Sequence, residues 1–384
     1  MRFVVAGDCV EAVFLAEAMA VSDQHQLLTA SVTDEVALAM SGRGISYTLV
    51  NSPEEAVLDP ACEAVLVAAS DVDQSMALVR QASQAGRHVI VIPPKNVSTA
   101  FSFELHLLLD ESERGIVPLC GRWYVDWPDG NVSLKTDVQQ LSLSFPLVSD
   151  NRDHAQLAGV DALCGCGWAF SQVTALDVRG ADGQLLSRSI MLAASEASER
   201  NVPPATLSFS ADAGVDSAAV VVRPANGENR RYVTALPTPE TVSNAKLQAG
   251  VLSRIVARLS DETACQAGME AFSNTLELME GVEKSLRRRR TVDVYFDGVS
   301  ERSAFKTQMT AIGCGVLSYL MFGLIAFLIV AKVANLPSWA LQVGRILWIT
   351  PLVLFLLAQL LLPLARERTG QKEASNPNSP TGGE

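Results

Sequence analysis

The sequence predicts an α/β fold, a doubly wound parallel sheet followed by an α+β second domain and two transmembrane helices, and three observations predict it. The chain opens with an apolar run, Phe3-Val4-Val5-Ala6, which meets Gly7 and passes into an apolar helical stretch. Short β-branched runs then alternate with helical segments to about residue 118. Near the far end, residues 309–330 and 346–365 form two long apolar stretches, neither carrying a charge.

The opening reads strand, glycine turn, helix, which is how a dinucleotide-binding βαβ unit begins, with a pyrophosphate seated on the helix N-terminus. In the fingerprint G-x-G-x-x-G/A, Gly7 holds the first position, Cys9 the second and Ala12 the third. Cys9 puts a side chain where the second glycine would let backbone approach a phosphate. Residues 26–32 read as the second strand; the acid expected at its end, to hold a ribose, is offered by Asp34, one or two residues late. Residues 63–69 are apolar almost throughout, as a strand buried on both faces should be. Residues 76–85 form a helix closed by Gly86, and 88–92 the next strand. This alternation makes residues 1–118 a Rossmann-like domain.

Residues 119–300 change character. Residues 137–145 alternate as a half-buried strand, 173–178 form another, and Asp182-Gly183 fits a hairpin turn. Residues 205–210 and 218–223 continue the β pattern, residues 157–170 have helical spacing, and long helices are predicted at 241–260 and 264–290. A linker, 301–308, leads to a membrane hairpin at 309–366, each apolar stretch long enough to span a bilayer. Lys332 and Arg345 lie in its loop, against Arg302, Lys306, Arg366, Arg368 and Lys372 on its flanks, so positive-inside counting puts both termini and the soluble domains in the cytoplasm. Residues 367–384 read as a disordered tail.

Composition bounds the function. A net charge of -12 argues against a nucleic-acid partner held by phosphate neutralisation. The seven cysteines lack metal-type spacing, so no metal site is expected and free thiols in a reducing compartment are. The N-terminus is no signal peptide, since Asp8 and Glu11 break the apolar run.

Three stretches in order resemble the glucose–fructose oxidoreductase, inositol dehydrogenase and rhizopine-catabolism (Gfo/Idh/MocA) family: EAVLVAASDVDQSMALVRQASQAGRHVIVIPPKNVSTA, GVDALCGCGWAFSQVTALDV and EAFSNTLELMEGVEKSLRRRRTVDV. The resemblance covers about residues 1–294 and implies a Rossmann domain, then an α/β domain whose open sheet carries substrate and oligomer contacts. It implies oxidation or reduction of a sugar or polyol with NAD or NADP. Under it, Gly7, Cys9, Ala12 and Asp34 are the cofactor-binding candidates, and Lys95 and Asp161 the catalytic ones. The chain departs from the pattern at several of these places. Ile92-Pro93-Pro94 fills the E-K-P turn, which leaves Lys95 two positions beyond the expected lysine. Leu157 stands for the family's aspartate, Asp161 for its histidine, Cys164 for a second aspartate, and Gln74 for a histidine after the fourth strand. The adjacent Asp153 and His154 fall out of register with the motif and read as solvent-facing. Two function classes follow: a membrane-anchored NAD(P)-dependent oxidoreductase, or a pseudoenzyme that binds or assembles, with a membrane-protein partner or a second copy. The departures weigh toward the second.

Overall fold

The computed structural model describes residues 1–127, 138–147, 152–194, 202–210, 219–224, 228–236, 244–294 and Phe322. The chain divides into two units between Phe296 and Asp297, and the account below concerns the first.

That unit opens with six parallel strands: β1 (Arg2–Gly7), β2 (Gln26–Val32), β3 (Thr48–Leu49), β4 (Ala64–Ala68), β5 (His88–Val91) and β6 (Ile116–Pro118). Five helices alternate with them: α1 (Ala12–Val21), α2 (Asp34–Gly42), α3 (Pro53–Val57), α4 (Val72–Gln84) and α5 (Thr99–Glu111). The strand order is β3-β2-β1-β4-β5-β6, the doubly wound order of dinucleotide-binding folds. All five residues of β4 are buried, and so are Phe3 to Gly7 of β1, because helices cover both faces of a parallel sheet. The helix predicted at 76–85 begins earlier, at Val72, because the Asp71 side chain accepts from the Gln74 backbone N–H and caps it.

The second sheet has strands β7 (Val138–Pro146), β8 (Gln172–Arg179), β9 (Leu185–Ala193), β10 (Ala205–Ser210), β11 (Ala219–Pro224), β12 (Arg230–Val233) and β13 (Val292–Asp293). Its order is β12-β11-β7-β10-β9-β8-β13, antiparallel except for the β7–β10 pair. The β8–β9 hairpin turns at Asp182-Gly183, with Gly183 at φ +81°. Helices α6 (Arg152–Cys164), α7 (Ala245–Leu259) and α8 (Glu262–Arg288) complete the unit. The helix predicted at 157–170 thus lies five residues earlier and stops at Cys164, where Gly165 follows and Gly167 takes φ +84°. Helix α8 packs on both layers, touching α5 and β6 on one side and β8 and α6 on the other. Among the described residues no helix is long and apolar enough to cross a membrane. The two stretches predicted to do so lie outside the described residues, apart from Phe322.

Candidate functional site

In this strand order the crevice that takes ligands opens at the carboxyl ends of β1 and β4. Gly7 sits there at φ +140°, and a Cβ on it would lie 2.1 Å from the Ala68 carbonyl oxygen. Glycine is therefore demanded by the approach of the β1 turn to the end of β4. The next two backbone N–H groups, of Asp8 and Cys9, both donate to Ala68 O, at 2.9 and 2.8 Å. The Asp8 carboxylate then bridges the crevice: Oδ1 accepts from the Ser70 backbone N–H at 2.6 Å and Oδ2 from the Ser70 hydroxyl at 2.5 Å. The two turns that border the crevice are tied to each other.

A second carboxylate occupies the same place. Glu11 precedes α1, is 9% exposed, and lies 3.8 Å through Oε1 from Nε2 of His154 on α6. Negative charge at a helix N-terminus is favourable, and here the chain supplies it from its own side chains. His154 is 13% exposed, which corrects the expectation that it faces solvent. Its pKa is held below the ordinary value by burial, with Glu11 opposing and the Lys95 charge adding to the shift. The ring is thus neutral at pH 7.

The predicted site residues divide. Cys9 is half-buried, and burial together with Glu11 and Asp8 pushes its thiol up to about 12, against the pull of Lys95. It stays a thiol at neutral pH and is no nucleophile. Lys95 is exposed in the turn after β5, next to Asn96 at φ +62°, and its charge reaches Cys9 and His154. Ala12 is buried at the start of α1. Asp34 is exposed in the first turn of α2, beyond Val32, the residue paired with Gly7. Gly7, Cys9, Lys95, Glu11 and His154 therefore gather around one crevice; Asp34 stands in the helix beyond the strand end.

Asp161 is elsewhere. It is fully buried and receives the Arg122 backbone N–H at 2.8 Å, Arg122 Nε at 2.9 Å, Arg122 Nη2 at 2.6 Å and the Thr275 hydroxyl at 2.9 Å. Gly121 makes this pair possible. A Cβ there would lie 1.6 Å from the Ala158 carbonyl oxygen, so only glycine lets the 3-10 turn Gly121–Tyr124 sit against α6. Oδ1 takes the guanidinium and the Thr275 hydroxyl and Oδ2 the Arg122 backbone N–H, so Asp161 is committed to a buried ion pair rather than open to a substrate proton. Asp8, Glu11 and Ser70 were passed over as site residues by sequence reading, and His154 was weighed and read as solvent-facing. The available signal was two acids, Asp8 and Glu11, inside a turn where a phosphate loop would be neutral.

Among the described residues, no three His, Cys, Asp or Glu side chains gather to hold a metal. The six described cysteines are free. The turn where this fold seats a pyrophosphate carries two carboxylates and the Cys9 side chain, and the Asp8 and Cys9 N–H groups are bonded to Ala68 O.

Two sheets in this order, with α6 and α8 packed between and across them, define the two-domain Rossmann-type dehydrogenase fold, the fold of the Gfo/Idh/MocA group. No family profile and no curated protein matches the sequence, whereas solved structures match the fold. A Sinorhizobium meliloti 1021 protein provisionally assigned as a myo-inositol dehydrogenase is similar over 77% of this chain and 100% of its own, at 14% identity and TM-score 0.61. An Agrobacterium radiobacter oxidoreductase in complex with NAD+, L-tartaric acid and magnesium covers 76% of this chain and 98% of its own, at 15% identity and TM-score 0.56. Biliverdin reductase of Synechocystis sp. PCC 6803, in complex with biliverdin and NADP+, covers 74% and 99%, at 13% identity and TM-score 0.51. An inositol, a hydroxy acid and a tetrapyrrole on one fold leave the substrate to the site itself.

Proposed function

We propose that this chain is a divergent relative of the Gfo/Idh/MocA dehydrogenases that has become a non-catalytic binding or assembly scaffold, held at a membrane by residues 309–366. The observation that carries the reading is the pair of carboxylates at the crevice. Asp8 bonds across it to Ser70, and Glu11 places a second carboxylate at the N-terminus of α1. A pyrophosphate would have to enter beside two like charges, which costs affinity at short range even with water between them. The displaced lysine and the locked Asp161 support the same reading from the catalytic side.

The test is a titration of the full chain with NADH and NADPH, followed by cofactor fluorescence. The expected result is no saturation in the micromolar range and no hydride transfer to common sugars or polyols. Cys9→Gly combined with Glu11→Gln should then tighten cofactor binding by about tenfold or more, since it removes one side chain and one opposing charge.

A second reading, an active NAD(P)-dependent oxidoreductase, is favoured by one observation: a neutral imidazole, His154, shares the crevice with the Lys95 charge. Micromolar cofactor binding by the unaltered chain, with turnover lost in both His154→Asn and Lys95→Ala, would establish it in place of the scaffold. For the membrane anchor, a cysteine introduced at position 335 should be labelled only from the side opposite the soluble unit; labelling from the cytoplasmic side would reject that topology.

A further inference from the structure

A sizeable cavity lies away from the crevice. It holds about 780 Å3 between the 3-10 turn, the carboxyl end of α6, α7 and the first half of α8. No residue of the crevice lines it. That volume is within the range of small-molecule sites, about 300–1,000 Å3. Three of its walls are the indoles of Trp123, Trp127 and Trp168, and small residues such as Gly165, Ala267 and Ala271 leave the space between them.

Its charge is uneven. Arg122 is neutralised by Asp161. Arg254 donates through Nη2 to the Trp123 and Val125 carbonyls, which fixes the wall. Arg258 lies over the Trp123 ring, with its guanidinium carbon 5.0 Å from the centroid. Its guanidinium makes no hydrogen bond or ion pair among the described residues. The one acid in the lining, Asp261, accepts from the Ala264 backbone N–H and caps α8. Burial and the nearby Arg122 and Arg254 charges lower the Arg258 pKa, as expected of a cation short of a counter-ion.

We propose that this cavity binds a small aromatic carboxylate, with its carboxylate on Arg258 and its ring against the indoles. One guanidinium supplies paired donors for two oxygens and a single charge, which is a carboxylate rather than a phosphate dianion. A flat ring suits walls that are themselves flat and apolar.

The test uses the full chain and follows tryptophan fluorescence on titration with benzoate, with benzamide and inorganic phosphate as parallel probes. Benzoate should give a saturable change below about 10 mM, the weak end expected of so small a ligand. Benzamide and phosphate should give none. Arg258→Gln should weaken benzoate binding by about tenfold or more, and Arg258→Lys, which keeps the charge and removes the bidentate fork, by about threefold. Thermal unfolding of each variant identifies one that does not fold, in which case the other decides. Absence of saturation with benzoate, benzamide binding as tightly as benzoate, or unchanged affinity in a folded variant would each overturn the proposal.

Discussion

Asp161 and Arg122 set the terms at the scale of single residues. A carboxylate at the position the family gives to a histidine is tied by four hydrogen bonds to Arg122 and Thr275, at zero exposure. Removing one partner of a buried pair leaves the other charge uncompensated, at a cost of about 3–5 kcal/mol. Asp161→Asn should therefore lower unfolding free energy by about that amount in a urea titration. It should leave the affinity of any crevice ligand unchanged; a stable variant with altered cofactor binding would mean that Asp161 serves the site. The histidines give a prediction with a sign. His25, His88 and His154 all have pKa values below the ordinary 6.5, burial being the first cause for each. The unfolded chain then binds more protons than the fold below about 6.5, so this stability is present above that pH and is lost as pH falls through the folded values. Unfolding free energy should drop between about pH 7 and pH 5, and His154→Gln should flatten that slope. An equally steep slope in the variant would remove His154 from the account. Glu54 and Glu63, whose pKa values are also lowered, act only below 4.5 and so leave this window clear.

At the scale of elements, glycine decides which pieces can meet. Gly7 brings the β1 turn onto the end of β4, and an added Cβ would overlap Ala68 O at 2.1 Å with φ at +140°. Gly7→Ala should destabilise the first sheet by at least about 2 kcal/mol, seen as a lowered midpoint or as loss of cooperative unfolding. Wild-type stability in that variant would contradict the packing described. Helix α8 is the second decisive element. Its amino end is capped by Asp261, its carboxyl end closes at Arg289 in the left-handed region, and Glu280 accepts from Thr99 Oγ1 of α5 at 2.8 Å. A 27-residue helix with one long buried stripe joins the two sheets more firmly than any loop.

At the scale of the first unit, α6 and α8 cover one face of the second sheet, and among the described residues no helix covers the other. Leu176, Val178 and Met191 are 60%, 46% and 44% exposed on that open face, next to the bonded Ser144 and Ser208 hydroxyls. An exposed apolar group on a flat sheet is an association surface, and we propose a second copy of the chain as its partner. Leu176→Lys with Val178→Lys should shift the chain from dimer to monomer in light scattering, with its melting profile retained. A monomeric parent would reject that partner.

Much of this architecture was legible in the amino-acid sequence. The alternation of strands and helices to residue 118, the hairpin at Asp182-Gly183 and the α+β character of the second half all follow from local periodicity. Burial on one face or two imposes a repeat on neighbouring residues. The end of α6 was less legible, because its helical spacing continues toward Phe170 while Gly165 and Gly167 end it. The site was legible only in part: Gly7, Cys9 and Lys95 were named, whereas the roles of Asp8, Glu11, His154 and Arg122 were not. Asp8 meets Ser70 across 62 positions, Arg122 meets Asp161 across 39, and Thr275 meets Asp161 across 114. Such contacts leave no repeat in the chain. By itself the sequence determined the fold, because hydrophobic burial is written in short periods. Only the tertiary structure decided that Asp8 ties the two turns at the crevice and that a separate cavity carries the Arg258 guanidinium, because both depend on side chains that become neighbours only after the sheets have packed.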